Sequence, residues 1–187
     1  MAEFSVGREV EQPPIQAERF VLRAPRPSDI GLMEHYGAEK RMAQASQSIP
    51  HPLPPGFVAN QIARVLEPER TEDVWVLDGH AAGGDAGQEV LGAISLTHLD
   101  RAQSQLAFWI APPFWNMGFA QEAVQVLVEA NPLGNDMLFA EVFQDNPASA
   151  RVLTNAGFDY MGDAEAYSVA RDATVPTWTY IRKMSVK

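Results

Sequence analysis

Two stretches hold residues whose types and order could do chemistry. In the first, Asn116-Met117-Gly118 lies between Pro112-Pro113-Phe114-Trp115 and the run Phe119-Ala120-Gln121-Glu122-Ala123. The three residues carry no side-chain charge. From Phe119 the apolar positions Phe119, Ala120, Ala123, Val124, Leu127 and Val128 share one helical face. A bare loop feeding a helix leaves backbone N–H groups without partners. The helix dipole adds partial positive charge there, so Asn116, Met117, Gly118, Phe119 and Ala120 suit a phosphate or pyrophosphate. Gly118 would let that ligand come close to the backbone. The second stretch runs from Asn146-Pro147-Ala148-Ser149 to Gly157-Phe158. Asn146 is a good N-cap, Pro147 suits the first helical position and Gly157 the residue past the end. The helix between them spans about ten residues, roughly 15 Å. Ser149 falls in its first turn, where a hydroxyl commonly bonds backbone groups.

Other candidates carry less. Gly83-Gly84-Asp85-Ala86-Gly87 has neither GxGxxG nor GxxxxGK spacing and joins two strands, so it reads as a hairpin turn. His35, His51, His80 and His98 are far apart and form no HxxxH or HExxH, so no metal is expected. Trp75, Trp109, Trp115 and Trp178 read as core or pocket wall.

The elements that must position these stretches follow from periodicity. Residues 1–17 show little and read as a loosely ordered N-terminal arm. Arg19–Ala24 is a short strand. Ser28 or Asp29 caps a helix running to about Ala43, and Phe57–Leu66 is a second amphipathic helix after the proline-rich loop Ile49–Gly56. Strands follow at Asp73–Leu77, at Glu89–Leu96 with Gly92 marking a bulge, and at Leu106–Ile110. A helix over Phe119–Ala130, a strand over Leu138–Phe143, the Asn146–Gly157 helix and strands at Phe158–Met161 and Thr177–Ile181 complete the order, with Asp172-Ala173-Thr174 as the last turn. This order predicts one α/β (α+β) domain over residues 1–187, with a mixed, mostly antiparallel central sheet flanked by helices on both faces.

Composition narrows the partners. The chain has 187 residues, no cysteine and a formal charge of −10. The missing thiols exclude disulfides and thiolate chemistry, and fit a reducing cytoplasm. The negative charge argues against nucleic acid and anionic membranes and favours a cationic partner. An anionic ligand would have to be held locally, by backbone amides and a few Arg.

At this point the residues resemble a known family. Trp115-Asn116-Met117-Gly118-Phe119-Ala120 matches the [Q/R]-x-x-G-x-[G/A] loop of the GNAT superfamily of N-acetyltransferases, with Trp115 at the first position, as in the branch of ribosomal-protein N-terminal acetyltransferases. Asn146-x-x-Ser149, followed by Gly157-Phe158, matches that branch's second motif. Spacing and element order agree from about Arg19 to the C-terminus.

The resemblance implies an acetyl-CoA-dependent transfer of an acetyl group directly to a primary amine, a protein N-terminus or a small cationic amine. Acetyl-CoA would lie where the Leu106–Ile110 and Leu138–Phe143 strands splay apart. Backbone groups of Phe108, Trp109 and Ile110 would meet the pantetheine and thioester, residues 116–120 the pyrophosphate, and Asn146 the pantetheine arm. Many members carry a Tyr donor seven residues after the Asn; here that residue is Leu153, and the role passes to Ser149. The usual Glu base falls on Gln105, which leaves Glu141, His98, Asp100, Glu165 or a water chain. Arg151 either reaches a CoA phosphate or is an exposed helical Arg. Dimers are common in the branch. The alternatives are an inactive acyl-CoA-binding or interaction module on the same fold, and a toxin acting on charged tRNA, which the charge disfavours.

Overall fold

The structure is a computed structural model and describes residues 12–85 and 88–185. Its elements, in chain order, are β1 (Ile15–Gln16), β2 (Val21–Arg23), α1 (Ile30–Gly37), α2 (Lys40–Ala45), α3 (Phe57–Val65), β3 (Glu72–Asp78), β4 (Gly92–Leu99), β5 (Gln103–Ile110), α4 (Phe119–Ala130), β6 (Met137–Phe143), α5 (Pro147–Asn155), β7 (Asp159–Ser168) and β8 (Ala173–Lys183). The strands form one eight-stranded sheet in the order β1-β2-β3-β4-β5-β6-β8-β7. Among the described residues only the β5–β6 pair is parallel, joined by the crossover helix α4. The expected mixed, mostly antiparallel sheet is what forms.

Alternation decides which helix covers which face. Leu22, Leu77, Trp75, Ile94, Leu96, Leu106, Leu138 and Ala140 line one face and pack with Ala123, Val124 and Leu127 of α4 and with Ala150 and Leu153 of α5. On the opposite face Val76 and Trp109 pack with Tyr36 of α1. On that second face Trp109 of β5 lines a small pocket together with Met33, Met42, Phe57 and Val58 of α1 to α3.

Several expectations are corrected. Ile15 and Gln16 of the N-terminal arm pair with Leu22 and Val21, so part of it is an edge strand; residues 1–11 lie outside the described residues. The helix expected from Asp29 to Ala43 is two helices, because Glu39 is extended (ψ 126°) and restarts the chain as α2. Asp29 does not cap α1 with its side chain. Its carboxylate goes instead to Arg23 Nη1 and Nη2, at 2.8 and 2.9 Å, and accepts the Arg26 N–H at 2.7 Å. Gly92 marks no bulge: β4 starts there in register with Ile110, and a side chain would collide with the Trp109 carbonyl. The last two strands are longer than expected and turn at residues 169–172, with Asp172 at φ 48°. Most of β7 is exposed, so burial imposes no alternation that a sequence pattern could reveal. Pro176 fits inside β8 because β6 pairs with β8 only from Thr177 onward.

Candidate active site

The β5–β6 ladder has four pairs, Gln103↔Met137 to Leu106↔Ala140, and stops. Beyond it β5 stays paired to β4 as far as Ile110, and β6 to β8 as far as Phe143. A gap opens between Ala107–Ile110 and Glu141–Phe143, where the family resemblance implied one. Ala111 N–H reaches Leu91 O at 2.8 Å, and the Trp109 carbonyl lies against Gly92. Trp109 therefore bonds toward β4, while the polar backbone groups of Phe108 and Ile110 point into the gap. The Trp115 indole N–H takes the Ile110 carbonyl at 2.6 Å. The gap keeps the N–H of Ile110 and both groups of Phe108.

At the end of β5 the chain turns through Asn116 (φ 61°) and Gly118 (φ 80°), both left-handed, into α4. No side chain caps that helix. The first intrahelical bond is Glu122 N–H to Gly118 O at 3.1 Å, so the amides of Phe119, Ala120 and Gln121 are open. Asn116, Met117 and Gly118 are exposed. An uncapped helix end behind an exposed glycine fits a pyrophosphate. Sequence reasoning missed Arg19, which stands at this loop. Its Nε–Glu122 pair, at 2.7 Å, joins positions 103 apart, and charge complementarity is the only sequence signal for it.

Helix α5 begins beside the other strand. Asn146 caps it, with Oδ1 accepting the Ser149 N–H at 3.3 Å. That bond uses the acceptor and leaves the Asn146 amide donor. The Ser149 hydroxyl takes no hydrogen-bond partner among the described residues, and the capping task falls to Asn146. Leu153 is 0% exposed and belongs to the core, so its departure from the Tyr pattern is a packing choice. Gln121 of α4 donates to Val152 O at 3.4 Å, which sets the two motif helices side by side. Arg151 is exposed on α5.

The four candidate bases separate by position. His98 lies at the far end of the sheet, held by buried Asp73 at 2.6 Å, and Asp100 is in the turn beyond it. Glu165 is exposed on the edge strand β7. Glu141 is the first β6 residue past the last β5 pair, half-buried, with Oε1 taking the hydroxyl hydrogen of buried Thr177 at 2.5 Å. It borders a groove of about 310 Å³ lined by Leu99, Gln103, Gln105, Phe139 and Thr179, on the face opposite α4.

One further residue frames this side. Arg171, in the β7–β8 turn, donates to Gln44 O through Nε (2.9 Å) and Nη2 (2.7 Å), pairs with Asp145 at 2.5 Å and stacks on Phe143 at 4.9 Å. It ties α2, the hairpin and the residue before Asn146 together. The Arg171 hydrogen bond outweighs partial burial and holds the Asp145 carboxyl below the usual carboxylate range. Among the described residues no three His, Cys, Asp or Glu gather to hold a metal, and no helix is long and apolar enough to cross a membrane.

Comparison with known proteins agrees with this geometry. A family model described as an acetyltransferase (GNAT) domain matches residues 19–159. The uncharacterized N-acetyltransferase YoaA of Bacillus subtilis (strain 168) is 30% identical over 97 residues, 50% of this chain and 55% of that protein. The matched region thus spans about half the length of that curated relative. The ribosomal-protein-S5-alanine acetyltransferase from Vibrio fischeri superposes with a TM-score of 0.74 at 17% identity, over 92% of this chain and 97% of that one. The spermidine N-acetyltransferase from Vibrio cholerae, in complex with CoA and spermine, does so with a TM-score of 0.73 at 14% identity, over 89% and 96%. Those two likenesses speak to the fold; the family model, matching most of the chain, speaks to the family. The chain belongs to the GNAT acetyltransferase family.

Proposed function

We propose that the protein acetylates the primary amine of a peptide or protein N-terminus, with Glu141 as the proton acceptor and Ser149 as the donor to the leaving sulfur. The observation that carries this reading is the gap itself. The strand on one side of it leads into the open N-terminus of α4, and at its closed end stands Glu141, from which the groove runs back along the paired strands. Acetyl-CoA brings the activated acyl group. The chain aligns it through the Phe108 and Ile110 backbone and the Asn146 amide, which supplies positioning. As the amine nitrogen bonds the carbonyl carbon and the carbon–sulfur bond breaks, a proton leaves the nitrogen for Glu141 and sulfur gains one from the Ser149 hydroxyl, which takes a proton back from solvent while Glu141 releases its own to solvent.

The groove favours a peptide over a polyamine. Among the described residues Glu141 is its one carboxylate, and the Gln103 and Gln105 amides beyond it match a peptide backbone. Phe139 and Leu99 suit a first side chain. A polyamine would call for further carboxylates along its length. The inactive-module alternative finds no observation in its favour, since Glu141 stands by the groove where Gln105 cannot act.

The test is thiol release from acetyl-CoA with short peptides bearing free N-termini, against spermidine as the competing amine. Faster release with the peptides supports the reading. Release with spermidine alone would overturn the acceptor class, and no release with either would overturn the whole proposal. Ser149→Ala should lower kcat about 10²-fold at unchanged acetyl-CoA affinity; unaltered turnover would remove Ser149 from the mechanism. Arg171→Ala should raise the KM for acetyl-CoA, because its partner Asp145 precedes Asn146, and should cost about 1 kcal/mol of stability, as expected for a partly exposed pair. The Asp145 carboxyl is depressed, so in the wild type this tie holds at neutral pH. It is lost only as pH falls through a value below the usual carboxylate pKa of about 4. KM measured between about pH 5 and 8 should then show no change from Asp145 titration.

A further inference from the structure

We propose that Arg19 is the positioning residue of the pyrophosphate loop: it sets the direction of the loop's amides and neutralises the carboxylate that would otherwise repel a phosphate there. The inference rests on the reading of Asn116–Ala120 as the CoA phosphate site.

Arg19 makes four contacts there. Its Nη1 donates to Met117 O at 2.7 Å, its Nε to Glu122 Oε2 at 2.7 Å and its backbone N–H to Glu122 Oε1 at 2.9 Å. Its guanidinium carbon lies 4.2 Å from the centre of the Phe119 ring. The remaining nitrogen, Nη2, stands beside Gly118, where a side chain would begin 3.3 Å away. One side chain therefore grips both sides of the turn into α4.

Two consequences follow from elementary geometry and charge. The peptide between Met117 and Gly118 is planar and trans, so fixing the Met117 carbonyl also fixes the opposed direction of the Gly118 N–H. This matters because Asn116, a non-glycine residue, holds left-handed backbone (φ 61°), which it keeps only where the surroundings fix it. The second consequence concerns Glu122, in the first turn of α4 and largely buried. A bare carboxylate there cancels the attraction of a helix N-terminus for an anion. Pairing with Arg19 removes that penalty, in a chain with 24 acidic and 14 basic residues.

The test is calorimetric binding of CoA and of pantetheine, which lacks the phosphates. Wild-type protein should prefer CoA. Arg19→Ala should cut that preference about tenfold or more, with pantetheine affinity unchanged. Arg19→Lys, a milder change for folding, should cut it as well, because an ammonium cannot reproduce the fork that bridges carbonyl and carboxylate. Adding Glu122→Gln to Arg19→Ala should restore part of the preference, which a purely structural role would not do. A wild-type preference that survives in Arg19→Ala and Arg19→Lys within twofold would overturn the role of Arg19 and leave the loop reading intact. No gain in the double variant would overturn the neutralising role. A wild type that binds both ligands equally would overturn the loop reading, and the proposal with it.

Discussion

Glu141→Gln should lower kcat by about 10²- to 10⁴-fold, the usual worth of a positioned acid or base. The substitution is informative because it changes little else. Glu141 Oε1 accepts from Thr177, and a Gln oxygen can accept the same bond, so β6 and β8 keep their contact. The amide cannot take a proton from the attacking amine. Acetyl-CoA affinity and thermal midpoint should stay at wild-type values while turnover falls. Steady-state kinetics with a saturating peptide, alongside calorimetry with acetyl-CoA, separates the two quantities. Turnover within twofold of wild type would mean that the proton leaves through water, and Glu141 would then be one more polar wall of the groove.

The second large effect is on stability. Arg23 is buried between Asp29 and Asp78, with its Nε 2.5 Å from Asp78 Oδ2 and its Nη1 2.8 Å from Asp29 Oδ2. It also donates to Ala24 O and Glu89 O. Arg23→Met keeps the apolar stem and strands two buried carboxylates, which should cost about 3–5 kcal/mol. For a chain of this length that corresponds to a fall of roughly 6–20 °C in Tm. The network also has a pH signature. Burial pushes the Asp78 carboxyl up, but the hydrogen bond from Arg23, helped by the Ala81 N–H, more than offsets it, so its folded pKa lies below the usual value. A depressed carboxylate contributes stability above its unfolded pKa of about 4, and loses it as pH falls through the folded value. Chemical denaturation at pH 7 and pH 3 should show that the penalty of Arg23→Met shrinks in acid. An equal penalty at both would mean that the charges are not what the substitution removes.

How much of this could be read from the chain depends on where each signal lives. Helix α5 was legible to the residue at its start, because Asn146 and Pro147 are local instructions. The bounds of α4 were legible because the glycine before it and the period after it are local too. The gap between β5 and β6 followed from a resemblance, and the ladder's end at Leu106 agrees with it. What stayed hidden depends on distant pairing. Strand β7 has few buried positions and so no alternation, and β1 is only two residues long. Glu141 could not be separated from His98, Asp100 and Glu165 until the register placed it one residue beyond the last β5 pair. Arg19 reads as the opening of a strand; its task appears only once Glu122 and Met117 are beside it.

The four-pair β5–β6 ladder makes the sheet two panels sharing a short seam. Strands β1 to β5 form one panel and β6 to β8 the other, each knitted internally by antiparallel ladders, of which β3–β4, β4–β5, β6–β8 and β7–β8 are longer than the seam. Along the seam the backbone ladder ends halfway, and beyond that point the two are joined through the side chains of α4 and α5. The panels can therefore stay stiff while the angle between them is set by how these two helices pack. Val124, Leu127 and Leu153 lie at that packing, each at most 1% exposed. Core residues that touch no substrate thereby set the width of the slot, and a methylene gained or lost among them would be felt as a change of fit at the far side of the sheet.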